Sequence, residues 1–280
     1  MRQNPGSDYI SFKNVVYRYE NRRENAVSSI TATINRGDFI AVIGPNGSGK
    51  STLARHINGL LLPTEGTVTV DGMDTRDPAG LVNVRRRVGF VFQNPDNQVI
   101  GNTVEEDIAF GPENLGQNPG SIRESVDYAM SVVGLSEVAK RPPHMLSGGQ
   151  KQLLAIAGAI AMKTECLVLD EPTSMIGPAG RKSLIQLLLN LKSRYRMTLV
   201  MVTHFLEETV FADRVFVMDK GRLVSAGSPP EIFSSGSLLK DIGLEVPGPV
   251  ELANRLRQSG FDIPDPVLSV DELVSCICRL

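Results

Sequence analysis

Phe39-Ile40-Ala41-Val42-Ile43-Gly44-Pro45-Asn46-Gly47-Ser48-Gly49-Lys50-Ser51-Thr52 is the stretch whose reading decides the fold. The first five residues form a continuous apolar run, as expected of a strand buried on both faces. That strand feeds directly into Gly-x-x-x-x-Gly-Lys-Ser at 44–51, and a helix is expected from Thr52 to Gly59. Each part suits a nucleoside triphosphate. The glycines let backbone N–H groups wrap phosphates, Lys50 offers a mobile cation to the β and γ groups, and the Ser51 hydroxyl can ligate Mg²⁺.

A second buried strand, Cys166 to Leu169, ends in Asp170-Glu171. Parallel sheets place their ligands at strand ends, so Asp170 can hold a water of a Mg²⁺ shell. Glu171, on the opposite side of the pleat, can orient an attacking water. Two other polar residues close apolar runs, Gln93 after Val88 to Phe92 and His204 after Leu199 to Thr203. Alone, either reads as an ordinary structural residue. A third feature, Leu146-Ser147-Gly148-Gly149-Gln150, opens a helix with a hydroxyl, N–H groups unshielded by any Cβ and the positive end of the helix dipole, a combination suited to an anion.

Outward from these motifs, Tyr9 to Tyr19 and Ala26 to Ile34 read as extended, as do Thr67 to Val70 and Arg87 to Phe92, with a charged, turn-rich stretch between the latter two. The middle of the chain reads as helical. Thr103 with Glu106 and Ser121 with Glu124 carry the capping-box signature. From Ser147 the pattern alternates: helix to Met162, strand Cys166 to Leu169, helix around Arg181 to Tyr195, strand Thr198 to Thr203, then a hairpin over Arg214 to Gly227. Alternation of this kind implies an α/β fold with a parallel sheet. Pro229 to Ser237, rich in Pro, Ser and Gly, is the expected boundary. Helices over Val250 to Gln258 and from Ser269 follow it, the second with a Ser269/Glu272 capping box and a Leu273, Ile277, Leu280 stripe. The expected organisation is a nucleotide-binding domain over 1–232, with a helical part at about 94–162, and a small appendage over 238–280.

Bulk properties narrow the function. The chain has 280 residues, 41% of them hydrophobic, enough for a substantial core. Lys plus Arg at 29 against Asp plus Glu at 31 gives a net charge of -2, with no global field to attract nucleic acid. Arg85-Arg86-Arg87 lacks interleaved aromatics and reads as a solvated helix end or a contact with a partner subunit. Three cysteines fit neither a disulfide framework nor a zinc site, so a reducing cytosol is expected. Met1 to Asp8 is polar, and the longest apolar run, Leu153 to Met162, falls short of a bilayer span.

Taken together, Gly44 to Thr52, Gln93, Leu146 to Gln150, Leu169-Asp170-Glu171 and His204 resemble, in order and approximate spacing, the nucleotide-binding domains of ABC transporters over roughly residues 8–230. The resemblance implies a P-loop NTPase of ABC type: a mixed sheet, an N-terminal antiparallel part and a helical signature subdomain. It further implies ATP and Mg²⁺ as ligands and a head-to-tail pair of ATPase subunits. Carried over by position, Tyr19 stacks on adenine, with Tyr17 as the competing candidate, and Gly44 to Thr52 hold phosphates. Ser51, Gln93 and Asp170 surround Mg²⁺ and water, Glu171 is the general base, and His204 meets the γ-phosphate. Ser147, Gly148, Gly149 and Gln150 act in trans on the nucleotide of a second subunit, a copy or a related chain.

A narrower likeness lies in Phe92-Gln93-Asn94-Pro95-Asp96-Asn97-Gln98, Thr173-Ser174-Met175 and the tail from Leu239 to Cys276. These are similar to the ATPase subunits of energy-coupling factor transporters, the cobalt-type and vitamin-type importers. That implies docking near residues 92–98 on a transmembrane coupling subunit, which works with a substrate-binding membrane subunit, at the cytoplasmic face of the cell membrane. One departure stands out: Ile176-Gly177-Pro178 replaces the family's usual Leu-Asp-Pro, so the carboxylate that reaches across the dimer is missing. Either one composite site is less tightly coupled or backbone groups substitute. Three other readings stay open: an ATPase subunit of another ABC transporter, a soluble ABC protein outside transport, and a non-hydrolysing regulatory module. A soluble ABC protein of ribosomes or chromosomes would carry two such domains or a long coiled coil, and a non-hydrolysing module would lack Glu171 or His204.

Overall fold

The structure, a computed structural model, describes residues 8–234 and 236–279. Two sheets organise it. The first is antiparallel, in the order β2-β1-β4-β5, from β1 (Asp8–Tyr17), β2 (Val27–Asn35), β4 (Glu65–Val70) and β5 (Met73–Asp74). The second holds β3 (Phe39–Ile43), β6 (Val88–Val91), β7 (Cys166–Asp170), β8 (Thr198–Val202), β9 (Arg214–Asp219) and β10 (Arg222–Gly227), in the order β10-β9-β3-β8-β7-β6. Its strands are parallel except for the β9–β10 hairpin. Strand β3 thus lies inside the sheet, between β9 and β8, and its carboxyl end carries the glycine loop.

The parallel strands are apolar throughout because both faces are covered. Phe39, Ala41 and Ile43 join Leu167, Leu169, Leu199 and Met201 in one core, whereas Ile40 and Val42 join Val168, Val200 and Val202 in another. The alternation follows the two-residue period of a strand. The first core lies against α3 (Val104–Asn114), α4 (Pro119–Val133), α5 (Gly148–Ala161) and α6 (Pro178–Tyr195), all of which contribute buried side chains to it. The second is shared with the antiparallel sheet and α1 (Lys50–Ile57). Full burial of each Ile, Leu or Val here contributes about 1.5–3 kcal/mol.

Several local expectations need correction. The turn-rich stretch before β6 contains a helix, α2 (Pro78–Arg87), started by Asp77, whose carboxylate accepts from the N–H groups of Ala79 and Gly80. Its last turn is Arg85-Arg86-Arg87, a helix end as read, with Arg87 paired to Asp71. Asn118, not Ser121, caps α4, accepting from the Ser121 N–H at 2.9 Å. Pro119 at the first helical position explains the shift, since proline needs no N–H partner there. Thr103 does cap α3, but Glu106 reaches the Asn102 N–H instead of closing a box.

The Pro229–Ser237 stretch is also not a plain linker. It holds α8 (Pro229–Ser234) and begins α9 (Gly236–Asp241), with Ser235 outside the described residues. After a short helix, α7 (Leu206–Thr209), and these two, the chain ends in α10 (Gly248–Gln258) and α11 (Val270–Ile277). Ile232, Phe233, Leu239 and Val250 still belong to the large core, whereas Ala253, Ile263, Val267 and Leu273 form a small one of their own. The Ser269/Glu272 box is present. Of the expected stripe, Leu273 is buried, Ile277 is exposed, and Leu280 lies outside the described residues, as do residues 1–7.

Candidate active site

The glycine loop is fixed by close backbone approaches. A Cβ on Gly44 would sit 2.2 Å from the Met218 carbonyl, and one on Gly49 would sit 2.3 Å from that of Ala26; both residues have positive φ. Only glycine is accommodated at either position. The Ser48 carbonyl accepts from the Gly221 N–H at 3.0 Å, anchoring the loop to the β9–β10 turn. Lys50, at 5% exposure, folds back over the loop and donates to the carbonyls of Gly44 at 2.8 Å and Pro45 at 3.0 Å. Burial pulls its pKa down, and the nearby Glu171 and Asp170 carboxylates oppose that shift.

At the end of β7 the two acidic residues divide. Asp170 is 2% exposed, accepts from the Ser51 hydroxyl at 2.7 Å and has the Arg55 guanidinium at 3.6 Å. Glu171 adopts φ 51, and its N–H donates to the Val202 carbonyl at 2.9 Å. Its carboxylate points instead to Gln93 Nε2 at 2.8 Å and His204 Nε2 at 2.5 Å. Five residues from four distant parts of the sequence, Ser51, Gln93, Asp170, Glu171 and His204, therefore converge.

Beside them a cleft of about 580 Å³ is lined by Tyr19, Arg22, Asn46, Gly47, Lys50, Thr52 and Glu171, among others. That size is within the range of small-molecule sites. Tyr19 contacts Thr52 through its hydroxyl at 3.2 Å. Tyr17 stands behind it, wedged edge-on between the Tyr19 and His56 rings at 4.9 and 5.0 Å, and is absent from the lining. Packing is thus the role visible for Tyr17, and Tyr19 is the aromatic that faces the cleft.

Mg²⁺ is the ion that the resemblance implies here. Ser51, Gln93 and Asp170 carry a hydroxyl, a carboxamide oxygen and a carboxylate, all hard oxygen ligands; Ser51 lines the cleft and hydrogen-bonds Asp170, and Gln93 bonds the cleft-lining Glu171. A small oxygen set leaves room for the phosphates and waters that Mg²⁺ retains, so the residues fit the ion.

Ser147 to Gln150 stand apart from this cluster, and none of the four lines the cleft. Ser147 caps α5 in a complete box, its hydroxyl accepting from the Gln150 N–H and the Gln150 side chain accepting from the Ser147 N–H. Gly148 and Gly149 lie against Met175 and Ile176 of the turn that follows Glu171. This helix N-terminus and the glycine loop therefore do not share the cleft.

One residue of α5 escaped the sequence reading. Gln152, fully buried, donates to the Gln93 carbonyl at 3.2 Å and so ties the signature helix to the Gln93 turn. Its signal was a polar side chain on an apolar helix. The 92–98 loop is shaped by its own Gln98, which accepts from the Phe92 N–H at 2.8 Å and donates to the Phe90 carbonyl at 2.9 Å.

A central sheet with a glycine loop, a strand-end acidic pair and a separate signature helix is the constellation of an ABC transporter ATPase, and the chain belongs to that family: the model described as ABC transporter matches residues 27–174. The energy-coupling factor transporter ATP-binding protein EcfA1 of Clostridium novyi is 51% identical over 274 residues, covering 97% of this chain and 98% of that protein. EcfA1 of Caldanaerobacter subterraneus is 52% identical over 273 residues, covering 96% and 99%. Within the family, then, the chain is one of the energy-coupling factor ATP-binding proteins. Among solved structures, cbiO1 from Clostridium perfringens, part of the ABC transporter complex cbiONQ, aligns with a TM-score of 0.76 at 33% identity over 91% of this chain and 98% of that one. The ATP-binding cassette MJ0796, solved as a dimer in a post-hydrolysis state with ADP and Pi, gives 0.72 at 30% identity over 79% and 98%.

Proposed function

We propose that this chain binds ATP with Mg²⁺ between Tyr19 and the glycine loop, hydrolyses it through Glu171, and uses the resulting closure with a second ATPase subunit to drive a membrane coupling subunit of an importer. The observation that carries the reading is the Glu171 carboxylate, held at once by Gln93 and His204 beside the Ser51–Asp170 pair. In the mechanism Lys50 leaves its loop carbonyls for the β and γ phosphates. Ser51, Asp170 and Gln93 would hold Mg²⁺, which would supply charge neutralisation on the phosphates. Glu171 accepts a proton from the attacking water, and His204 donates to the γ-phosphate. Ser147 and the N–H groups of Gly148 to Gln150 close over the nucleotide of the other subunit.

The membrane partner has a matching surface. A groove lined by Phe90, Val99, Ile100, Phe110 and Leu154 lies between the 92–98 loop and α3, with Ile100 61% and Phe110 42% exposed. Such exposure of large apolar groups in one groove suits an apolar helix from outside the chain, and we assign it to the coupling subunit. No described helix is long and apolar enough to cross a membrane, so attachment at the cytoplasmic face would run through this contact. Tagged chain purified from native membranes is expected to bring membrane subunits with it, and Phe110→Glu to lose them while still binding ATP. Recovery with ribosomes and no membrane protein would overturn the transport reading.

We divide the chain into the nucleotide-binding part, 1–232, with its helical subdomain near 94–162, and the 238–280 appendage, which we assign to subunit association. Leu252, Phe261, Val270, Val274 and Ile277 are all exposed on it. Val270→Asp combined with Val274→Asp should weaken association at least ~10-fold, since carboxylates on an apolar contact are left desolvated. Unchanged sedimentation of the double variant would refute the assignment.

A further inference from the structure

The ring of Tyr19 faces the cleft, yet its own segment does little to aim it. Tyr19 lies two residues past the end of β1, whose last residue, Tyr17, still pairs with Val27 and accepts at its carbonyl from the Ala26 N–H at 2.8 Å. Residues 18–26 belong to no strand. The Tyr19 carbonyl accepts from the Arg22 N–H at 2.9 Å, a bond within the turn, and its hydroxyl meets Thr52 Oγ1 at 3.2 Å. That second bond leaves the ring plane open. A phenol oxygen lies on the axis about which its ring turns, and the torsion about this axis has only a broad preference.

The plane is set instead by what packs against it. The Tyr17 ring stands at 89° to that of Tyr19, with centroids 4.9 Å apart, and at 78° to that of His56, 5.0 Å away. Both pairs have the edge-to-face arrangement that aromatic rings favour. His56 is fully buried on α1, with Nδ1 2.6 Å from the Thr52 carbonyl one turn earlier. Tyr19, Tyr17, His56 and Thr52 thus close a circuit from the ring in the cleft to the helix that follows the glycine loop, and Tyr17 and His56 complete it from outside the lining. We infer that Tyr17 is a positioning residue for nucleotide recognition: it fixes the plane of Tyr19, and with it the face offered to a purine base, relative to the helix that begins with Lys50 and Ser51. The inference rests on the base-stacking role of Tyr19, but part of its test can be read without that role.

Tyr17→Leu removes the ring and keeps an apolar group, whereas Tyr17→Phe keeps the ring. A base stacked on an aromatic side chain is worth about 5- to 100-fold in affinity. With the Tyr19 plane released, Tyr17→Leu in the full-length chain should raise the ATP dissociation constant at least ~5-fold and leave that of inorganic tripolyphosphate within about twofold of the parent. Damage to the glycine loop would weaken both ligands alike. The chain has five tyrosines, so ring-¹³C tyrosine labelling gives a signal for Tyr19 that Tyr19→Phe identifies by its loss. Relaxation of that signal should show a more mobile ring in Tyr17→Leu, and Tyr17→Phe should recover both the ATP affinity and the parental mobility. An ATP constant within about twofold of the parent, an equal loss for tripolyphosphate, or unchanged Tyr19 mobility in Tyr17→Leu overturns the inference. If that variant does not fold, Tyr17→Ile, better suited to a strand, carries the same readouts with the same consequences. Tyr19→Ala separates the two failures: if it binds ATP as the parent does, the base-stacking role fails, and Tyr19 ring mobility in Tyr17→Leu alone decides whether Tyr17 positions the ring.

Discussion

Glu171→Gln is expected to bind ATP as the parent does and to lose about 10³-fold in turnover, within the 10²–10⁴ range for removing a general base. The size of the effect follows from geometry. Gln93 and His204 already occupy the two oxygens of Glu171, so the carboxylate is aimed before any substrate arrives. The amide keeps the shape and the Gln93 side of this arrangement but cannot take a proton. Asp170 cannot substitute, because its oxygens are engaged by Ser51 and Arg55 on the other side of the strand end. Phosphate release under steady-state conditions, alongside binding of a fluorescent ATP analogue, checks both halves. Turnover within about tenfold of the parent would remove Glu171 from the role of base.

Ser147→Arg should lower hydrolysis by the assembly at least ~100-fold, comparable to removing a preorganised donor from a developing anion, and leave ATP binding by the isolated chain intact. The cap itself accounts for little of this, since losing the Ser147 side chain costs about 1 kcal/mol of helix stability. The separation rests on the cleft, whose lining includes no residue of 147–150. Mixing offers a sharper version. If two copies pair, one site of a Ser147→Arg/Glu171→Gln pair combines an intact Glu171 with an intact Ser147, and activity returns. Full activity of Ser147→Arg on its own would contradict action in trans.

Much of this was legible in the sequence for identifiable reasons. The loop at 44–51 could be read because two of its glycines are demanded by backbone contacts, and the strands because burial on both faces leaves unbroken apolar runs. His204 and Gln93 were legible only by company, as each closes a strand that gives no local hint of its neighbour. Helix α2 was missed because only Gly80 and Val84 are buried along it; a capping aspartate and Pro78, rather than an apolar face, define it. Helix α8 was missed for a related reason: Pro229-Pro230 reads as a breaker, yet proline in a first turn starts helices as readily as it ends them. Gln152 was out of reach, because its meaning lies in a contact made 59 residues away along the chain, which only folding reveals. Gly177 remains the clearest departure from the family. It starts α6 with ordinary backbone angles and no side-chain cap, and a Cβ there would meet nothing, so nothing in the local packing excludes the usual aspartate.

The φ of 51 at Glu171 carries a cost in stability. A branched or long side chain in left-handed backbone costs about 1–2 kcal/mol, whereas glycine or asparagine would sit there with little or no penalty. On the role proposed above, Glu171→Gly should unfold no more readily than the parent while hydrolysis is lost, as thermal unfolding and phosphate release would show.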